Sequence, residues 1–334
     1  MSAVPVIDLT SARQGDRADR ARVARLIDEA CGDIGFFTIA GHGVPEGVAK
    51  DLREAAHAFF ALPAEEKRRA AHPVMGTPRG YHGLAGEALA RANEDGPRES
   101  GHLAAAPDLK EFFHVGPVDV TGDPYFTGER GREFFLPNLW PARPERFREA
   151  ATTYYRTMDG LVVFLMRLAA LALGLEERFF DDKVGRSVGT MRLNYYPRQV
   201  DPPVPGQLRA GAHTDYGSIT ILNGEDVPGG LQVRTRRGDW IDVHTPPEHL
   251  VINIGDLLMR WTNDRWLSNL HRVVNPPWAD GLNAPRLSIA FFNHPNYDVL
   301  IECLAPAGQA KYPPVLSGDY RDTQYRKTGL RTTV

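Results

Sequence analysis

Cysteine is scarce in this sequence. Only Cys31 and Cys303 occur in 334 residues. They stand far apart, so no disulfide framework is indicated, both read as inert thiols, and a reducing cytoplasm is the expected setting. An excess of one charge is also missing: 39 basic against 42 acidic residues give a formal net charge of -3. No basic stripe or aromatic-rich basic tract is present, which argues against nucleic acid as a partner. The most apolar run, Leu161–Leu175, is interrupted by Arg167. It falls short of the roughly 20 residues that span a bilayer and reads as a buried central helix. The opening MSAVPVIDLTSARQGDRADR meets charge before any apolar block, so no secretory signal is expected. Neither an internal repeat nor a low-complexity tract is evident. What remains is an ordinary globular balance, 42% apolar and 24% charged, in a chain long enough to bury a sizeable core.

The first half mixes short strands with helices. Val4–Leu9 is a β-type run, and Asp19–Cys31 repeats apolar residues at helical spacing through Val23, Leu26, Ile27 and Ala30. Gly35–Val44 predicts a strand between glycines, Pro45–Leu62 a helix, and Arg146–Leu175 the long helix. Residues 70–145 are rich in Gly, Pro and charge and read as loops, either plain connections or a cover over a site. From Ser187 onward the texture changes to short segments such as VGTMRLNYY, GSITILN, GLQVRT, HLVINIG and RLSIAFFNH. Strands this closely spaced, without alternating helices, predict a sandwich or barrel. The expected fold is α+β, mainly β: a double-stranded β-helix (a jelly roll, cupin-like) flanked by N-terminal helices. The expected divisions are 1–120 (helical N-terminal region), 121–185 (connecting loop and long helix), 186–300 (jelly-roll core) and 301–334 (C-terminal extension).

His213-Thr214-Asp215, with His271 far downstream, carries the strongest chemical signal. On an extended segment residues i and i+2 share a face, so His213 and Asp215 project together while Thr214 turns away. A third ligand from another strand completes one triangular face of a metal. Two imidazoles and one carboxylate leave three octahedral positions free, which suits non-haem Fe(II) and oxygen chemistry. A zinc hydrolase uses a similar set, with water in the open position. Neighbouring strands bear on that choice. Arg286, Ser288, Ala290 and Phe292 share one face of their strand, and Leu287, Ile289 and Phe291 the other. A guanidinium beside a hydroxyl inside a barrel fits the end of a dicarboxylate; a buried Arg–Asp or Arg–Glu pair is the alternative. Alternation also places Arg192, Asn194 and Tyr196 together, with Met191, Leu193 and Tyr195 opposite. Tyr196 would add a phenol to the same carboxylate, and Arg192 would be a second interior cation in need of an anion.

Taken together, GAHTDYGSITIL, NDRWLSNLHRVVNP, RLSIAFF and RLNYYP resemble the isopenicillin N synthase-like family of Fe(II)/2-oxoglutarate-dependent oxygenases. VPVIDL, GFFTIAGHGV, ALPAEEK, Arg79-Gly80-Tyr81, Lys110-Glu111 and NLWP resemble that family's N-terminal region, so the likeness covers roughly residues 4–320. It implies Fe(II) on His213, Asp215 and His271, and 2-oxoglutarate on Arg286, Ser288 and Tyr196 with Asn194 close by. O2 is the further co-substrate. The implied reaction oxidises an unactivated C–H of a small molecule by hydroxylation, desaturation or cyclisation, releasing succinate and CO2, in amino-acid or natural-product metabolism. In some family members the Arg-x-Ser pair holds a substrate carboxylate instead, so an iron oxidase or cyclase that uses no 2-oxoglutarate, or an ethylene-forming type of enzyme, stays open, as does a non-catalytic metal-binding jelly roll. Expected substrate-facing residues are Arg192, Phe292, Tyr81, Phe112 and His114, and the substrate is either carboxylate-bearing or a natural-product intermediate without one. A monomer is expected, with no membrane partner. Asp256 is expected to support a turn before a strand. The other histidines, His294 among them, are expected on the surface or in hydrogen-bonded turns.

Overall fold

A computed structural model describes residues 4–84, 87–89, 107–278 and 283–327. Its strands, in chain order, are β1 (Val6–Asp8), β2 (Phe36–Ala40), β3 (Gly80–His82), β4 (Glu111–Val115), β5 (Thr190–Tyr196), β6 (Ala210–His213) and β7 (Ile219–Gly224). Then follow β8 (Leu231–Arg234), β9 (Trp240–Asp242), β10 (Leu250–Ile254), β11 (His271–Val273), β12 (Arg286–Phe292), β13 (Leu300–Ile301) and β14 (Val315–Leu316). Eight strands form one sheet in the order β1-β2-β10-β7-β12-β5-β4-β3, and four form another, β6-β11-β8-β9. The double-sheet jelly roll expected from the strand texture is present. The two strands expected in the first 120 residues are present as β1 and β2 on one edge of the large sheet, and β4 and β3, which fall in the stretch read as loops, extend the other edge. Glu111–Val115 is buried along its whole length, so it offers no polar–apolar alternation by which to recognise it.

The helices form where the predicted periodicities lie. Arg17–Asp33 starts at Asp16, whose carboxylate accepts from the backbone N–H groups of Ala18 and Asp19. Past its end, Gly35 takes a φ of +70°, and a Cβ there would stand 2.0 Å from the Leu267 carbonyl oxygen. Only glycine lets the chain turn there directly into β2. The helices Glu46–Phe60 and Phe147–Ala172 cover the outer face of the large sheet. Asp256 opens a short helix, Asp256–Trp261, rather than preceding a strand. Among the described residues no helix is long and apolar enough to cross a membrane.

Strand alternation divides the large sheet into two environments. Leu193, Ile221, Ile252, Leu287, Ile289 and Phe291 pack against helix residues Phe59, Phe147, Met158 and Leu165 in the main core. The opposite face, carrying Arg192, Asn194, Tyr196, Thr220, Asn253, Arg286 and Ser288, lines a cavity between the sheets. A smaller apolar cluster including Phe36, Val233, Val251 and Val273 packs beside it. The antiparallel pairing of β12 with β5 sets Arg286 opposite Tyr196 and Ser288 opposite Asn194. One period of two thus builds the core and equips the cavity.

Trp266 ties the outer helices to this frame. It is fully buried, and its indole N–H donates to Asp28 of the Arg17–Asp33 helix at 2.8 Å. Trp266→Ala is expected to cost about 3–5 kcal/mol, and Trp266→Phe, which removes the hydrogen bond and part of the ring, less. Urea unfolding at an unchanged m-value checks the order; equal losses for the two variants would contradict it.

Candidate active site

Two strands of the small sheet meet at their ends. His213 closes β6, His271 opens β11, and the two are register partners with ring centroids 4.3 Å apart. Asp215 lies just past the end of β6, and its Oδ1 stands 3.9 Å from His213 Nε2 and 3.7 Å from His271 Nε2. The three ligand-type atoms all lie within 4.8 Å of one another, so a small inward shift of the side chains brings them to the roughly 2 Å bonds of a common ion. The remaining atoms are tied elsewhere. His213 Nδ1 meets the Gly211 carbonyl at 2.8 Å and His271 Nδ1 the Asn269 carbonyl at 3.2 Å. These contacts assign the protons to Nδ1 and leave both Nε2 lone pairs facing inward. Asp215 Oδ2 accepts from Thr220 Oγ1 at 2.6 Å and Asn253 Nδ2 at 2.7 Å, which leaves Oδ1 for the same point.

Electrostatics keep the set in ligand form. Burial, reinforced by the His271 imidazole, pushes the His213 pKa down to about 3, so the ring is neutral. Burial opposes ionisation of Asp215, yet the two imidazoles and the bonds from Thr220 and Asn253 hold its carboxyl below the ordinary value. The backbone N–H of Asp256 donates to the Asp215 carbonyl at 2.7 Å, and its side chain accepts from Thr214 and Ser268. Burial pushes the Asp256 carboxyl up to about 6.

Along the same cavity lies an anion cradle. Arg286 is buried and its Nε donates to the Glu225 carbonyl at 3.2 Å. Its Nη1 has no acceptor among the described residues, and neither does the Asn194 Oδ1 have a donor. The buried Arg–carboxylate pair held open as the alternative is not what is found: the Glu225 carboxylate is engaged by His57, Arg53 and the Leu287 N–H. A Cβ on Gly224 would lie 2.7 Å from Arg286 Nη2 and 4.0 Å from Ser288 Oγ, so glycine keeps this corner open. Tyr196 closes it, with Arg286 over its ring at 5.5 Å and the buried Arg209 on it at 5.8 Å. An unmatched guanidinium in a buried cavity is costly unless a guest anion completes it. The three converging ligand-type atoms and the Arg286 corner therefore share one cavity, and the residues present fit Fe(II) and a 2-oxo dicarboxylate together.

Comparison with known proteins agrees. Residues 4–143 match the family described as non-haem dioxygenase in morphine synthesis N-terminal, and residues 187–295 match the 2OG-Fe(II) oxygenase superfamily. A 2-oxoglutarate-Fe(II) type oxidoreductase, hxnY, of Emericella nidulans is 35% identical over 98% of this chain and 90% of its own. The chain belongs to the 2OG-Fe(II) oxygenase superfamily. Validamycin A dioxygenase of Streptomyces hygroscopicus subsp. limoneus is 34% identical over 94% of this chain and 83% of its own. The crystal structure of a full-length Neurospora crassa protein in complex with alpha-KG superposes with a TM-score of 0.81 at 30% identity, covering 97% and 95% of the two chains. This oxygenase is accordingly a 2-oxoglutarate-dependent dioxygenase that uses Fe(II), 2-oxoglutarate and O2.

The oxygenase treats the expected substrate-facing residues unequally. Arg192 and Phe292 line the cavity beside the triad. Arg192 is not a spare cation: its Nη1 reaches both Glu87 oxygens, at 2.9 and 3.2 Å, and its Nε donates to His114 Nε2 at 2.5 Å. His114 and Phe112 sit behind it, the Phe112 ring 4.7 Å below the guanidinium, and line no part of the cavity. Burial and then the Arg192 charge push the His114 pKa well down, so its ring is a neutral acceptor. Tyr81 lies elsewhere. It pairs with Phe113, on the face turned to the helices, and its hydroxyl donates to Glu111 at 2.5 Å.

Several cavity residues escaped the sequence reading. Glu87 and Lys110 form a buried ion pair at 2.9 Å, and Lys110 also meets Asp108 at 3.1 Å. Asp108 accepts the Gly211 N–H at 3.0 Å, beside the carbonyl that holds His213. These residues come from the loop-rich stretch, where no periodicity marks them. His294, expected near the surface, is buried and lines the cavity with Tyr216 and Tyr325. Extending the Arg286–Phe292 alternation by one step would have found it. The segment 90–106 and residues 85–86, part of the stretch read as connection or cover, lie outside the described residues.

Glu87 gives the network a pH signature. Although burial opposes its ionisation, Arg192 and Lys110 hold its pKa at about 2 against an ordinary 4.5. A depressed carboxyl contributes stability above its unfolded pKa, and the contribution disappears as pH falls through the folded value. The wild-type Tm is expected to drop more steeply between pH 4.5 and 2 than that of Glu87→Gln. Parallel Tm curves would contradict the pairing.

Proposed function

We propose that His213, Asp215 and His271 hold the Fe(II) of this oxygenase, and that Arg286, Ser288 and Tyr196 hold the C5 carboxylate of 2-oxoglutarate. The observation that carries this is the buried, acceptor-less Nη1 of Arg286 in the cavity that also contains the convergent Nε2, Nε2 and Oδ1 atoms. A planar fork of donors, a hydroxyl and a phenol match a carboxylate through short charge-assisted bonds. Asn194, opposite Ser288, offers an amide toward the same co-substrate. Bound there, iron and 2-oxoglutarate would supply an oxidation driven by O2, one oxygen atom entering succinate as CO2 leaves and the other serving to oxidise a substrate C–H.

The chain's own part is to bind, orient and exclude water. The Nδ1 contacts of the two histidines fix ring tilt and tautomer, and Thr220 and Asn253 fix the carboxylate. Phe36, edge-on to His271 at 5.4 Å, and Leu222 line the cavity with apolar surface. The substrate is a small molecule, a reading supported by the crystal structure of the Neurospora crassa relative in complex with alpha-KG and thymine. Arg192 and Phe292 contact it in this proposal. Because Glu87 already balances Arg192, that guanidinium acts as a held hydrogen-bond donor to a carboxylate or carbonyl rather than as a free counter-charge.

Anaerobic addition of Fe(II) and 2-oxoglutarate is expected to raise a weak visible metal-to-ligand charge-transfer band, and O2 should then yield succinate. Asp215→Ala should abolish both. Arg286→Gln should raise the KM for 2-oxoglutarate by about 10- to 100-fold, the loss expected for a charge-assisted pair, with metal affinity unchanged. Succinate formation that survives Asp215→Ala would overturn the ligand assignment.

A further inference from the structure

Arg286 is fixed by a residue that touches neither metal nor cavity. Glu225, directly after Gly224 at the end of β7, is bonded three ways to the start of β12. Its carbonyl accepts Arg286 Nε at 3.2 Å, its Oε2 accepts the Leu287 N–H at 2.7 Å, and its own N–H donates to the Leu287 carbonyl at 3.2 Å. The other carboxylate oxygen faces outward. Oε1 meets His57 Nε2 at 2.6 Å and Arg53 Nη1 at 3.4 Å, and Arg53 also donates to Asn223 Oδ1. Arg53 and His57 stand four residues apart on the helix Glu46–Phe60 and so share one of its faces. His57 further packs edge-on against Tyr195 at 6.0 Å, on the strand that carries Tyr196.

We infer that Glu225 is a positioning residue for the co-substrate carboxylate, held by Arg53 and His57, so that the N-terminal helix sets the affinity of the oxygenase for 2-oxoglutarate. This rests on the assignment of Arg286 to that carboxylate. The logic is geometric. A guanidinium has five donors, and the direction of its open edge depends on what occupies Nε. Glu225 occupies Nε with its carbonyl and pins that carbonyl by a second bond from its own side chain to the next residue. Arg53 and His57 on the helix orient that side chain. Losing the clamp frees Arg286 to turn within a corner that Gly224 leaves open. The penalty falls on a guest that uses the guanidinium and on no other.

That selectivity separates positioning from general support. The test is calorimetric binding to the full-length Mn(II)-loaded protein, comparing 2-oxoglutarate with 2-oxopentanoate, a 2-oxo acid of equal length without the distal carboxylate. Glu225→Ala is expected to weaken 2-oxoglutarate about tenfold, the scale of one or two lost hydrogen bonds. Glu225→Gln, which keeps an acceptor for the Leu287 N–H, and Arg53→Met should each weaken it about two- to threefold and serve if Glu225→Ala does not fold. Binding of 2-oxopentanoate should be unchanged throughout. Equal weakening of both acids, or unchanged 2-oxoglutarate binding in all three variants, would overturn the inference. Arg286→Gln separates the layers. If it weakens 2-oxoglutarate while the Glu225 variants do not, the clamp alone is wrong; if it has no effect, the cradle assignment falls and the clamp with it.

Discussion

Two nitrogens and one oxygen can face a single point only because the opposite atom of each group is already occupied. The Nδ1 atoms of His213 and His271 are tied to backbone carbonyls, and Asp215 Oδ2 to Thr220 and Asn253. The histidines stand on the small sheet, whereas Thr220 and Asn253 belong to β7 and β10 of the large one. The proposed ligand set therefore depends on the closure of the two sheets against each other. A shift of one sheet would pull the carboxylate from the imidazoles. Most of the fold exists, in this sense, to hold that closure: the helices press the large sheet from outside, and the small apolar cluster packs the sheets together from within.

Charge is distributed with a purpose inside the cavity. Arg192 and Lys110 are matched by Glu87 and Asp108, which offsets part of the cost of burying them. Arg286 Nη1 is buried and has no acceptor among the described residues. The paired cations build structure, and Arg286 is the one proposed to take a guest.

The parts of the site legible in the sequence were those governed by a period of two. Arg286-Leu287-Ser288 and Arg192-Leu193-Asn194 show which side chains share a face, and the structure sends one set to the cavity and the other to the core. His213 and Asp215 were legible as a pair for a related reason, although the strand ends before Asp215. Less could be read where the chain departs from alternation. Glu87, Asp108 and Lys110 sit in a loop-rich stretch and acquire meaning only through partners distant in sequence. Tyr81 was expected to face the substrate from a loop, but it lies on a strand whose register with Phe113 turns it into the core. β4 escaped because it is buried on both sides, and His294 because a histidine just past a strand resembles a turn residue.

The most direct measurement is an anaerobic crystal structure of the Fe(II) and 2-oxoglutarate complex with iron located by anomalous scattering. The proposed assignment places iron roughly 2.0–2.3 Å from His213 Nε2, His271 Nε2 and Asp215 Oδ1, with the distal carboxylate on Arg286 Nη1 and Ser288 Oγ. Iron bound away from those three atoms, or a co-substrate carboxylate that leaves Arg286 without a partner, would contradict it.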